Sequence, residues 1–159
     1  MNRRLLVLLA VILLTGGFKQ VPISAGQPAG ERAAQDQLPQ SQDPLWSELA
    51  KCHVDFEQKN GLYKIELIPE VKALDGKSIR TSGFVLPLDA SDNTRHFLLT
   101  KRTPVCLFCP PGEPNEVIEV RSKQSIAWGE EMIVLHGRFH LVNNQEKALF
   151  FEIVDAEKD

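Results

Sequence analysis

The sequence predicts a mainly β protein: a small five-stranded OB-like Greek-key barrel preceded by a short N-terminal helix. Three observations predict it. Five alternating apolar segments of strand length follow one another toward the C-terminus, turn signals separate them, and glycines interrupt the first and fourth. Small barrels need such kinks to bend strands around a closed core. A small open sandwich is the alternative, because periodicity alone does not decide closure.

The elements follow in order. DPLWSELAKC places Asp43 as an N-cap and Pro44 at the first helical position, with Trp46, Leu49 and Ala50 spaced to share a face, so a short helix is expected. LYKIELIPE alternates until Pro69 interrupts it, and IPEVKALDGK then reads as one helical turn closed by Asp75-Gly76. SIRTSGFVLPLD is the first barrel strand. Phe84, Leu86 and Leu88 fall on one face, with Ile79, Gly83 and Val85 nearer the other. HFLLTKR and EVIEVRS are the second and third strands. EEMIVLHGRFHLV is the long fourth, with Gly137 at mid-length, and KALFFEIVDA is the fifth, entered through Asn143-Asn144. No internal repeat is evident.

The chain opens MNRRLLVLLAVILLTGGFKQVPISAG, a basic pair followed by an apolar run from Leu5 to Leu14. As a helix that run spans about 15 Å, half the hydrocarbon thickness of a bilayer. Short apolar core, basic start and small polar end together describe a secretory signal peptide over residues 1–25, cleaved after Ala25. An uncleaved membrane anchor is the alternative. Residues 26–45 carry few large apolar groups and are expected to form a flexible linker, leaving residues 46–159 as one barrel domain. The expected location is the periplasm, with membrane contact only through the leader or an uncleaved anchor.

The net charge is −3. Losing Arg3, Arg4 and Lys19 with the leader makes it −6. Beyond the leader no Lys/Arg run exceeds a pair, so nucleic acid is excluded as an expected partner. No nucleophile elbow, HExxH, phosphate-cradling glycine loop or paired-acid constellation occurs, and no catalytic residue is assigned.

The chemistry-bearing stretch is PVCLFCPPGEPN, residues 104–115. Cys106 and Cys109 have the spacing of half a zinc site, but no second pair exists. Cys52 and His53, adjacent in sequence, are the other metal or disulfide candidates, with His96, Glu113 and Glu116 as weaker ones. In an exported protein, oxidation competes with metal, and three cysteines always leave one unpaired. A thioredoxin-like role does not fit, since Pro110 and Pro111 stop a helix from propagating past the pair. Four prolines stiffen the segment, which makes Phe108, Pro110, Pro111, Glu113 and Asn115 a candidate binding loop. On the fourth barrel strand His136, Arg138 and His140 occupy the face opposite Ile133, Leu135, Phe139 and Leu141. Four residues along a strand is roughly 13 Å, too far for the two histidines to share an ion, so an exposed polar face is expected.

The succession VKALDGKSIRTSGFVLPLD, HFLLTKRTPVCLFCPPGEPNEVIEV, HGRFHL and FFEIVDA resembles a bacterial family of exported proteins of unknown function. The likeness runs over residues 69–156 and rests on Gly76, Gly83, Phe84, Pro87, Leu88, Phe97, Cys106, Cys109, Pro110 and Gly137. It implies an envelope protein with an OB-like barrel and a Cys/Pro-rich loop, some of whose relatives accompany ABC-type transport systems for metals or lipoproteins. It names no reaction, and Cys52-His53 lies outside its pattern. The resulting expectation is a non-enzymatic periplasmic binding or accessory protein with an envelope partner. The alternative is a thiol-disulfide or metal-transfer protein holding Zn or Cu on the CxxC pair.

Overall fold

A computed structural model describes residues 29–89, 91–105 and 112–159. The leader and the anchor alternative lie outside those residues. No helix among the described residues is long and apolar enough to cross a membrane.

Barrel closure follows from one strand that serves two partners. The first barrel strand, β3 (Ser78–Pro87), follows a short hairpin of β1 (His53–Glu57) and β2 (Leu62–Glu66). After it come β4 (Asn93–Thr100), β5 (Val117–Ala127), β6 (Ile133–Asn144) and β7 (Leu149–Lys158). Along β3, residues Ser78 to Gly83 pair with Arg138 to Ile133 of β6, and Phe84 to Pro87 pair with Thr100 to Phe97 of β4. The handover falls at Gly83, where a Cβ would sit 2.7 Å from the Thr100 carbonyl oxygen and 2.8 Å from Leu99 Cγ. The glycine is needed because two partner strands close on one point. The order β3-β4-β5-β7-β6 then closes on itself, with β5 and β7 parallel and the other neighbours antiparallel. All five expected barrel strands are present, and the fold is a small closed five-stranded barrel.

Gly137 solves a similar problem on β6. The β6–β7 register shifts between His136 and Arg138, and a Cβ at Gly137 would lie 2.5 Å from Ile153 Cγ2. Around these two glycines Val85, Phe97, Leu99, Ile118, Val120, Leu135, Phe139, Phe151 and Ile153 fill the interior. The Phe139 and Phe151 rings stack at 5.8 Å. Such a filled interior is a packed core rather than a ligand chamber.

The face assignment along β3 needs correction. Gly83 to Leu86 are buried on both faces, because Leu86 joins Leu98, Val117 and Leu149 in a second apolar cluster opposite the interior one. Leu88, expected beside Phe84 and Leu86, lies beyond the strand and is exposed.

The helix α2 (Pro44–Leu49) forms as its ends dictate: Pro44 sits in the first turn, and Asp43 accepts from the Leu45 amide at 3.0 Å. Trp46 and Leu49 belong to the same apolar cluster as the barrel interior, and the indole Nε1 donates to the Ser82 carbonyl at 2.8 Å. Leu45 is buried with them, whereas Ala50 is an exposed C-cap. The turn α3 (Pro69–Lys72) leads into Gly76, which adopts φ +74° and donates its amide to the Phe139 carbonyl at 2.8 Å.

The segment expected as a flexible linker is, over residues 29–43, a folded strap. It begins with α1 (Ala29–Gln35) and continues along the end of β4. Ser41 N donates to Lys101 O at 2.8 Å, Thr103 N donates to Pro39 O at 3.3 Å, and Gln40 and Arg102 form an isolated antiparallel bridge. Gln35 and Ser41 are fully buried. Composition misleads here because the strap is held by hydrogen bonds and ion pairs instead of its own apolar residues.

Candidate recognition site at the base of the 104–115 segment

Cys106, Phe108, Cys109, Pro110 and Pro111 lie outside the described residues, as does the CxxC pairing itself. The two stems that carry the segment are described, and their construction is informative. The incoming stem leaves β4 through Lys101, Arg102 and Thr103. The outgoing stem is a single 3-10 turn, Pro114–Glu116, in which the Glu113 amide donates to Glu116 Oε2 at 3.3 Å and the Glu116 amide to Glu113 O at 2.8 Å. Pro114 starts the turn because its missing N–H is not needed there.

One carboxylate joins both stems to the strap. Glu116 is buried, with Oε2 accepting from Arg32 Nη1 of α1 at 2.8 Å and Oε1 accepting from Arg102 Nε of the incoming stem at 3.1 Å. Arg102 also donates to Asp36, and Arg32 reaches Glu113 at 3.9 Å. Burial pushes the Glu116 carboxyl up. The Arg32 hydrogen bond and the charges of Arg32 and Arg102 outweigh it, and the pKa lies below the ordinary glutamate value. Gln35 Nε2 donates to Thr103 O at 2.9 Å, and Thr103 Oγ1 donates to Pro39 O at 2.8 Å. A charge-assisted clasp of this kind holds the ends of a loop in place whatever the middle does.

Cavities flank the two stems. One of about 370 Å³ lies beside Leu38, Pro39, Thr103, Pro104 and Val105, with Glu130 at its wall. Another of about 300 Å³ lies beside Gly112 and Pro114 against Tyr63, Leu98, Val117 and Leu149.

The remaining predicted residues do not assemble into one centre. Cys52 is buried in the core cluster with Trp46 and Leu49, while its neighbour His53 is exposed at the start of β1. The two adjacent side chains thus face different environments. Cys52 does touch the segment through its backbone: Asn115 Nδ2 donates to Cys52 O at 3.1 Å. Glu113 is half-exposed beside Arg32. His136 pairs with Asp159 at 2.7 Å, which also takes Arg80 at 2.6 Å; Arg138 is exposed, and His140 stands 3.4 Å from Asp75. His96 pairs with Glu119 at 2.5 Å. Along this face of β6 His136 and Arg138 are exposed and His140 is half-buried, and each histidine stands beside a carboxylate. Among the described residues no three His, Cys, Asp or Glu side chains gather closely enough to hold a metal ion.

Sequence reading missed Arg32, Gln35, Asp36 and Arg102, and considered Glu116 only as a weak metal ligand. One signal was available. Glu113-Pro-Asn-Glu116 has capping-box spacing with proline at its first position, which marks a turn there.

Residues 27–150 match the DUF3299 family, described as a protein of unknown function. A crystal structure of a DUF3299 family protein from Pseudomonas aeruginosa PAO1 is 20% identical, covers 60% of this chain and 68% of that chain, and superposes with a TM-score of 0.48. No curated protein matches the chain.

Proposed function

We propose, from the premise that the chain belongs to the DUF3299 family of unknown function, that it is an exported, non-enzymatic binding or accessory protein whose recognition element is the 104–115 segment. One observation carries the reading: both stems of that segment are fastened to the strap by the buried Glu116, held between Arg32 and Arg102. A fixed base lowers the entropy lost when a loop engages a partner. The barrel interior is filled by side chains, which favours the 104–115 segment as the contact element. The partner is an envelope protein, and a component of an ABC-type metal or lipoprotein transport system is the class to test first.

The test replaces residues 106–111 with a Gly/Ser segment of equal length. Site-specific photocrosslinking from position 105 in the periplasm is then compared between parent and variant. A defined crosslinked envelope protein that disappears in the replacement, with the thermal midpoint of the barrel unchanged, supports the reading. An unchanged crosslink, or mature protein found in the cytosol, overturns it. The competing thiol-disulfide or metal-transfer reading predicts stoichiometric Zn(II) or Cu(I), or a redox-cycling Cys106–Cys109 pair, in protein purified from the periplasm. Metal analysis with thiol titration separates the two.

A further inference from the structure

The cavity of about 300 Å³ beside the outgoing stem lies outside the barrel interior. Leu98, Val117 and Leu149 line it, and they are three of the four members of the outer apolar cluster. The β6–β7 connection adds Glu146, Lys147 and Ala148 to the same lining. The three apolar residues are buried and give the cavity an apolar floor, whereas Glu146 and Lys147 are exposed and stand at its mouth. An apolar lining with a few polar groups is the usual composition of a small-molecule site, and this volume is at the low end of their range of about 300–1,000 Å³. Ala148 adopts φ +55°, a left-handed conformation that alanine rarely takes. Glycine would relieve that strain but would leave no side chain at the cavity wall.

The mouth carries one charge of each sign. Neither Glu146 nor Lys147 forms an ion pair among the described residues. An apolar carboxylate would meet Lys147 favourably and Glu146 unfavourably, and an apolar amine the reverse. A molecule that carries an ammonium and a carboxylate beside an apolar group satisfies both. Polyanions such as nucleotides are disfavoured, because Lys147 is the one cation of the lining among the described residues. Exposed ion pairs are individually weak, so the apolar floor supplies most of the attraction and the two charges select the ligand.

We propose that this cavity binds a small zwitterion with an apolar side group, the class of the apolar α-amino acids. Leu98, Val117 and Leu149 receive the side group, Lys147 pairs with the carboxylate and Glu146 with the ammonium. The site goes beyond the reading of the 104–115 segment as a protein contact and does not depend on it: the crosslink can fail while the cavity still binds, and the cavity can fail while the crosslink forms.

The test is isothermal titration calorimetry of the purified full chain with L-leucine, L-phenylalanine, glycine, N-acetyl-L-leucine and L-leucine methyl ester. Leucine and phenylalanine should bind, and glycine should bind about tenfold more weakly or less for want of an apolar group. Each blocked leucine, with one charge removed, should bind about threefold more weakly than leucine. Three variants then place the site. Ala148→Asn keeps the left-handed turn, which asparagine tolerates, but adds bulk at the wall and should weaken leucine about fivefold. Lys147→Glu should weaken leucine and improve the methyl ester, whereas Glu146→Lys should weaken leucine and improve N-acetyl-leucine. Both side chains are exposed, so thermal unfolding should move little and the crossed preference reports the charges at the mouth. No heat from leucine at millimolar concentration, glycine binding as tightly as leucine, or N-acetyl-leucine binding the parent as tightly as leucine overturns the proposal. So does leucine binding unmoved by Ala148→Asn, or a crossed preference that fails to appear.

Discussion

The barrel wall and the strap over residues 29–43 are held by opposite means. The wall buries phenylalanines, leucines, isoleucines and valines on a closed ladder, and burial of each such side chain is worth about 2 kcal/mol. The strap contributes little apolar surface. Its attachments are backbone bonds at Ser41 and Thr103 and the ion pairs of Arg32 and Asp36 to the stems. The difference teaches that two regions of one fold are secured by unlike forces: apolar burial holds the wall, while hydrogen bonds and ion pairs fix the strap to the stems of the 104–115 segment.

Substitutions can break or sharpen that contrast. The largest effect is expected in the wall, where Phe97→Ala removes a fully buried ring and should cost about 4 kcal/mol of global stability by denaturant unfolding. Glu116→Ala leaves two guanidiniums without their shared carboxylate and should cost about 3 kcal/mol. Its signature differs from that of Phe97→Ala: hydrogen exchange should accelerate first at the Ser41 and Thr103 amides, with the barrel amides still protected. If exchange accelerates uniformly, the strap is not a separate unit.

Gly137→Ala should cost about 2 kcal/mol or more, because its methyl would meet Ile153 and the Val154 carbonyl inside contact distance. Acid should act on the strap before the wall. The folded pKa of Glu116 is depressed, so its contribution is complete above the ordinary value of 4.5 and is lost as pH falls through the lower folded value. Titrating downward from pH 6, exchange at Ser41 and Thr103 should rise before the barrel unfolds, and Glu116→Gln should remove that pH step. The smallest effect is expected at Thr81, whose buried hydroxyl has no hydrogen-bond partner among the described residues. Thr81→Val should stabilise by about 0.5–1 kcal/mol, measured as a raised thermal midpoint.

Legibility in the sequence followed the same divide. All five barrel strands could be read because alternation and turn residues are local signals, and Gly83 and Gly137 interrupt their strands where closure is tight. The short α2 was readable from Asp43, Pro44, Trp46 and Leu49. β1 was missed, since HVDFE is short and only half-buried, and becomes a strand by pairing with β2. The outer cluster of Leu86, Leu98, Val117 and Leu149 was missed because a strand buried on both faces loses its alternation. At the site, the 104–115 segment stood out by its prolines and cysteines, but the clasp at its base did not. Arg32 and Glu116 are eighty-four positions apart, and nothing in a local pattern pairs one arginine with one glutamate over such a distance.

Periodicity, turn chemistry and helix caps are properties of neighbouring residues, so the chain alone specified which segments become strands and where they bend. Which carboxylate lies buried, which arginines reach it, and that a polar stretch becomes a strap depend on where remote segments meet in space. Ion pairs and hydrogen bonds need angstrom-scale placement of both partners, and only the closed barrel supplies it.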